Sequence, residues 1–231
     1  MSLAVIARTL DRLTEMWTLD WATRDPAIRL PIEIPRRGRA DLAVLFAQLG
    51  FTCGAEIGVD EGVYSEQLCD ANPSLGLLSI DPYSLRIDYD DRRRVQKDFD
   101  VLYARAQKRL HRPQVTLWRL RSLDAAQKVP GGSLDFVYID GHHNFPNVTA
   151  DLCAWIPKVR HGGIIAGHDY YKTARPTHGL HVQHVVDAFT AAYDIRPWFV
   201  LGRKRTEPGE PRDEHRSFFW VRGPIGLDTG H

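Results

Sequence analysis

From Thr52 to Asp169 the chain alternates short apolar runs with helix-length segments, and this alternation decides the fold class before any motif is considered. Strands are expected near 53–58, 76–81, 114–119, 134–140 and 163–169, with helices near 63–71, 91–110, 123–128 and 147–158. A helical crossover returns the chain to the same edge of the sheet, so successive strands run parallel and the crossovers are right-handed. The expectation is an α/β, Rossmann-like, doubly wound sheet with its ligand crevice at the carboxyl ends of the strands. After Asp169 the pattern changes. Residues 181–192 read as a helix with Val182, Val185, Val186 and Phe189 facing inward. Residues 197–202 and 217–221 read as strands joined by the polar loop 203–216, expected to be mobile around Pro208, Gly209, Glu210 and Pro211. That hairpin would leave an antiparallel edge on a mainly parallel sheet.

Two more helices precede the alternation. Leu3, Ile6, Leu10, Leu13 and Trp17 recur at helical spacing over 2–18. Pro26, Pro31 and Pro35 then force an extended connection to about residue 37. Residues 39–49 form a helix with Leu42, Leu45, Phe46 and Leu49 on one face, and Gly50 stops it. The chain therefore divides into an N-terminal helix with a Pro-rich extension (1–38) and one α/β domain (39–231). Its 231 residues suffice for that domain with decoration. A net charge of +1 gives no whole-protein field that would attract nucleic acid. The runs Arg92-Arg93-Arg94 and Arg203-Lys204-Arg205 read as solvated faces or hairpin tips. No apolar run approaches the roughly 20 residues that span a bilayer, and Asp11, Arg12, Glu15 and Asp20 are unlike a signal peptide. Cys53, Cys69 and Cys153 have no framework spacing; Cys53 and Cys153 read as buried reduced thiols, which points to a cytoplasmic setting.

Two of the expected strands end in aspartate. One is Leu134 to Asp140, followed by Gly141-His142-His143; the other runs from Gly163 to His168-Asp169. As parallel neighbours their tips would lie about 5 Å apart, close enough for both carboxylates to hold one cation. A glycine-rich turn, Gly54 to Gly62, opens onto the same edge. Its spacing is wider than that of a dinucleotide loop, and Glu56, Asp60 and Glu61 would repel phosphate. A cationic ligand, or one rich in hydroxyl and amine donors, fits better. Asp81 ends the second strand, where a carboxylate can take both hydroxyls of a ribose diol. The plainer reading makes Glu56, Asp81 and Asp140 strand-end caps and lets His142 and His143 satisfy a turn.

The segments Glu56-Ile57-Gly58-Val59-Asp60-Glu61-Gly62-Val63-Tyr64-Ser65, Ile80-Asp81 and Phe136-Val137-Tyr138-Ile139-Asp140-Gly141 resemble the class I S-adenosylmethionine (SAM)-dependent methyltransferases over about residues 40–222. The resemblance implies seven strands in the order 3-2-1-4-5-7-6, the seventh antiparallel. It implies SAM as cofactor, with Glu56, Gly58 and Ser65 around its methionine end, Asp81 on the ribose and Ser122 near the adenine. Asp140-Gly141-His142-His143 and His168-Asp169 further resemble the metal-dependent sugar and antibiotic O-methyltransferases. Carried over, Asp140, His168 and Asp169 are ligands of a divalent metal (Mg, Mn or Zn), Asp140 also serves catalysis, and His143 is the general base. His168 stands where that subset has an acid, and imidazole suits zinc better than magnesium.

The expected activity is O-methylation of a small hydroxylated, sugar-like acceptor. No nucleic-acid or membrane partner is expected, and a homo-oligomer is compatible with Trp17 and Trp21 covering either the cleft or a partner subunit. The alternatives are a non-catalytic binding protein of methyltransferase fold and a nicotinamide-dependent oxidoreductase. Tyr170, Tyr171, Arg175, Pro176 and Thr177 would border the acceptor pocket. His178, His181 and His184 fan too widely round a helix to share one metal, and His178 is the one expected to face the cleft. Asp88-Tyr89-Asp90-Asp91 reads as a solvated loop rather than a lid, and Asn147 as an N-cap.

Overall fold

The structure, a computed structural model, describes residues 2–19, 30–84, 95–172, 179–205, 207–210 and 213–225. Trp21, Asp88 to Arg94, and Arg175 to His178 lie outside these residues. In chain order the elements are α1 (Ser2–Trp17), β1 (Ile32–Ile34), α2 (Arg39–Gln48), β2 (Cys53–Ile57), α3 (Val63–Ala71), β3 (Gly76–Ile80), α4 (Gln96–Arg109) and β4 (Val115–Trp118). Then follow α5 (Ser122–Ala126), β5 (Leu134–Ile139), α6 (Phe145–Trp155), β6 (Val159–Gly167), α7 (Val182–Ala192), β7 (Trp198–Leu201) and β8 (Phe218–Val221). No described helix is long and apolar enough to cross a membrane.

The strands stand in the order β4-β3-β2-β5-β6-β8-β7-β1. Counted from β2, the seven expected strands take the order 3-2-1-4-5-7-6, with β8 antiparallel to both β6 and β7. The eighth strand, β1, comes from the stretch between Pro31 and Pro35 that reads as a mere connection. It pairs parallel with β7, Ile32 opposite Phe199. A short strand flanked by prolines is tolerated there because β1 is an edge.

Both faces of the sheet are covered, which is why its inner strands read as continuous apolar runs rather than alternating ones. On β5 the side chains alternate between two cores. Phe136 and Tyr138 pack with Leu42, Leu45 and Phe46 of α2 and Leu13 of α1. Val137 and Ile139 pack on the other side with Val148, Leu152 and Trp155 of α6 and Val185 of α7. Each fully buried side chain of this size contributes on the order of 1.5–3 kcal/mol.

β6 starts at Val159, four residues before the expected start, because Gly162-Gly163 does not break it. Gly162 has φ +78°, and a Cβ there would stand 2.5 Å from Val5 Cγ1 of α1. Thr9 of the same helix donates to the Gly162 carbonyl at 2.8 Å. The glycine thus marks the crossing point of a helix, not a turn. Cys69 is the buried thiol, whereas Cys53 and Cys153 are only partly buried; all three are free. Described residues of the segment between β7 and β8 are tied to the N-terminal part of the chain at several points. Glu210 accepts the Arg36 N–H at 3.0 Å, Asp213 accepts the Arg39 N–H at 2.6 Å, and Glu33 accepts both Lys204 N–H and the Arg216 guanidinium.

The register brings the site together. Ile57 of β2 lies opposite Ile80 of β3 and Ile139 of β5, and Ile139 lies opposite Gly167 of β6. Four strands therefore end level. The next residues along the chain, Gly58, Asp81, Asp140 and His168, emerge side by side on one edge. The strand order reverses between β2 and β5, the place where such sheets open a ligand crevice.

Candidate active site

β2 turns sharply at Gly58, whose φ of +90° belongs to glycine. A Cβ there would lie 2.1 Å from the Asp140 carbonyl oxygen, so the turn packs backbone to backbone against the tip of β5. Asp81 fastens the same turn from the other side. Its Oδ2 accepts the N–H groups of Val59 at 3.0 Å and Asp60 at 3.2 Å, and its Oδ1 accepts that of Tyr83 at 2.8 Å. Burial pushes the Asp81 pKa up and these three donors hold it down; the net shift is upward. Oδ2 thus has both lone pairs engaged, while Oδ1, with one donor, keeps acceptor capacity for a further one, such as a hydroxyl.

Glu56, on β2 behind this turn, is only 2% exposed. Ser65 at the start of α3 donates a short hydrogen bond to Glu56 Oε2 and also meets Ser79 Oγ at 2.7 Å. Burial raises the Glu56 pKa to about 8; the Ser65 bond opposes that rise and the Asp140 charge reinforces it. Glu61, in the same turn, is not among the residues that line the cavity and pairs with Arg105.

Asp140, His143 and Asp169 form one cluster, with a ligand-type atom of each within 4.8 Å of the others. His143 Nε2 lies 2.9 Å from Asp169 Oδ2 and 3.5 Å from Asp140 Oδ1. His168 Nδ1 lies 3.5 Å from Asp169 Oδ1 and 3.7 Å from Asp140 Oδ2. Thus His143, rather than the expected His168, completes the tightest trio with the two carboxylates. His143 Nε2 and His168 Nε2 are both buried without a well-aligned hydrogen-bond partner. Burial alone would lower the His143 pKa, but the two carboxylates outweigh it and raise it to about 10. Burial likewise raises Asp169, and His143 outweighs it, so the net shift there is downward. Arg39, at the start of α2, brings its guanidinium to 3.9 Å from Asp140 and stacks over the Tyr64 ring.

Two carboxylates and one imidazole with an unaligned buried nitrogen make a donor set that suits a borderline divalent ion such as zinc or manganese. The cluster also balances without a metal, because a protonated His143 and the Arg39 guanidinium together supply one positive charge for each carboxylate.

The loop that carries His143 is braced by a residue not singled out for it. His181 donates its backbone N–H to the His143 carbonyl at 2.8 Å, and its Nδ1 accepts the Phe145 N–H at 3.1 Å. The N-cap of α6 is Asn144, not Asn147: Asn144 Oδ1 accepts the Asn147 N–H at 3.0 Å, and Pro146 sits in the first turn. Tyr170 is buried with its hydroxyl on Asp187 and does not line the crevice, whereas Tyr171 stacks on His215 at 4.4 Å.

A cavity of about 550 Å³ runs along the strand tips and is lined by Gly58, Asp81, Ser122, Asp140 and His143 among others. Glu56 and Ser65 lie behind its wall, and Asp169 and His168 adjoin it through Asp140 and His143. At its far end the Ser122 hydroxyl is already engaged. It donates to Asp151 Oδ1 at 2.5 Å and accepts from Trp155 Nε1 at 2.8 Å. Asp151, 5% exposed, also lines the cavity, a position that nothing in the periodicity of α6 reveals beyond an acid on an otherwise apolar face.

A family model described as a methyltransferase domain matches residues 55–170. No curated protein matches the chain in sequence. Among solved structures, the O-methyltransferase TomG from Streptomyces achromogenes, involved in tomaymycin synthesis and solved with SAM, superposes with a TM-score of 0.57 at 18% identity. That match covers 95% of this chain and 90% of TomG. An O-methyltransferase from Bacillus cereus in complex with SAH gives 0.56 at 14% identity, over 95% of this chain and 91% of that one. At these identities the likeness is one of fold.

Proposed function

Because the chain belongs to the methyltransferase-domain family, we propose that it transfers the methyl group of SAM to a hydroxyl of a small, sugar-like acceptor. The observation that carries this reading is the level ending of β2, β3, β5 and β6, which puts Asp81, Asp140 and His143 on one cavity. In this reading the ribose diol lies on Asp81. The methionine end points toward Gly58, with the Glu56 carboxyl buried behind that turn, where its charge acts on the ammonium group through the wall. The sulfonium methyl then faces the Asp140–His143–Asp169 cluster.

The chemistry asks little beyond alignment and one proton. The sulfonium methyl is already activated, so the protein must hold the acceptor oxygen in line with the C–S bond. As the O–C bond forms, the C–S bond breaks, leaving SAH and a methyl ether. The acceptor proton goes to His143, which Asp169 orients. His143, with its pKa raised to about 10, is protonated at neutral pH when the cluster is empty. A cation brought beside the carboxylates, beginning with the sulfonium itself, lowers that pKa, the direction that favours the imidazole as base.

A second reading is favoured by the 4.8 Å cluster and the unaligned imidazole nitrogens: a divalent metal held by Asp140, Asp169 and an imidazole of His143 or His168. Bound there, it would lower the pKa of the acceptor hydroxyl. Turnover of SAM with a panel of hydroxylated acceptors tests the main reading; cofactor binding without turnover by any acceptor would sink it. Manganese titration followed by electron paramagnetic resonance tests the second: loss of a bound-ion signal in Asp169→Asn supports it, and no bound ion in the wild type refutes it.

A further inference from the structure

We infer that Asp151 reads the base of the cofactor, accepting a hydrogen bond from the exocyclic amino group of adenine and so setting the preference for adenine over 6-oxopurine. The inference rests on the cofactor reading above and extends it to a residue on α6.

The cofactor is a linear molecule: amino acid, sulfur, ribose, base. With the sulfur toward Asp140 and the diol on Asp81, the base must occupy the remaining end of the cavity. Leu123, next to Ser122, lines the cavity and offers an apolar wall suited to the face of a purine. Its polar groups include Ser122, Asp124 and Asp151. Asp124 is exposed, and water competes for it; Asp151 is 5% exposed.

Asp151 is also fixed in orientation. The Trp155 indole N–H donates to Ser122 Oγ at 2.8 Å, and the Ser122 hydroxyl donates to Asp151 Oδ1 at 2.5 Å. A hydroxyl has one proton, and that of Ser122 is spent on Asp151. Ser122 therefore cannot donate to a ring nitrogen, and recognition near the adenine passes to the carboxylate it holds. The other oxygen, Oδ2, lies 3.4 Å from where a Cβ of Gly141 would sit. Gly141 itself lines the cavity, so the missing side chain leaves the carboxylate close to the ligand space. A carboxylate is an acceptor only. It attracts a 6-amino group and repels a 6-oxo group, and a buried polar group discriminates more sharply than an exposed one.

The test is calorimetric titration of the full chain with SAH and with its 6-oxo analogue, S-inosylhomocysteine. The wild type is expected to prefer SAH by about 100-fold or more. In Asp151→Asn the amide oxygen can still accept from Ser122, but the amide N–H₂ now faces the base. The preference is expected to fall below about 10-fold, with the analogue losing less affinity than SAH. Equal wild-type affinity for the two ligands overturns the inference, as does an equal loss for both in the variant, which would mark a purely structural role. Should Asp151→Asn fail to fold, Ser122→Ala decides. It keeps the carboxylate and removes its tether, so the preference should shrink severalfold, and an unchanged preference counts against the proposal. Failure of the wild type to bind SAH at all would instead refute the cofactor reading, and this inference with it.

Discussion

Replacing Glu56 by glutamine should uncouple cofactor binding from proton release. The wild-type carboxyl is 2% exposed and its pKa is raised from an ordinary 4.5 to about 8, chiefly by burial. At pH 7 such a group carries about 0.9 of a proton. A cationic ammonium group placed beside it favours the ionised form, so binding expels most of that proton. The same gap has a stability consequence of about 4–5 kcal/mol. The sign follows from the direction of the shift. The unfolded carboxyl ionises near 4.5, while the folded one holds its proton until about 8. Unfolding thus releases a proton between those values, and ligand-free stability falls as pH rises from 4.5 to 8. Glutamine keeps an acceptor for the Ser65 hydroxyl but cannot titrate. The assay is SAH calorimetry at pH 7 in buffers of different ionisation enthalpy, with wild type and Glu56→Gln in parallel. The difference between them should be about one proton released. Equal proton release by both proteins, or proton uptake by the wild type alone, would refute the reasoning.

His143→Ala should lower kcat by about 10²–10⁴-fold while SAH affinity, measured calorimetrically, changes by less than about threefold. Gly58→Ala should cost more than about 2 kcal/mol in denaturant unfolding and abolish SAH binding, because a Cβ would meet the Asp140 carbonyl at 2.1 Å in a left-handed turn. Phe136→Ala, at a fully buried position between α2 and β5, should lose about 3–5 kcal/mol of stability while the SAH Kd holds at temperatures where it stays folded.

Much of this architecture is legible in the chain, and the exceptions share a cause. Strand–helix alternation is a local pattern, and it carries the order of the seven main strands because parallel crossovers leave few topologies. The placement of Asp81 and Asp140 at strand tips is legible because each directly follows an apolar run that forms the strand. What stays hidden depends on partners far away in sequence. β1 is a strand only because β7 pairs with it, and its flanking prolines suggest the opposite. Gly162 looks like a break until α1 is seen to cross it. Both His143 and His168 are plausible partners for the aspartates on spacing alone; only the geometry of two strand tips brings His143 to 2.9 Å of Asp169. The resemblance puts Ser122 near the adenine, and its hydroxyl is turned to Asp151, an acid that helical periodicity treats as one more residue on α6. The cap of α6 moves from Asn147 to Asn144 because Pro146 fits the first turn of a helix and not the residues before it.

The account stands on cofactor and acceptor meeting in a single crevice at the tips of β2, β3, β5 and β6. A crystal of this protein soaked with SAH examines that point in one map. The ribose hydroxyls should lie within hydrogen-bonding distance of Asp81, with the sulfur turned toward Asp140 and His143 and the base toward Asp151. SAH density anywhere else, or with its ribose away from Asp81, would contradict it.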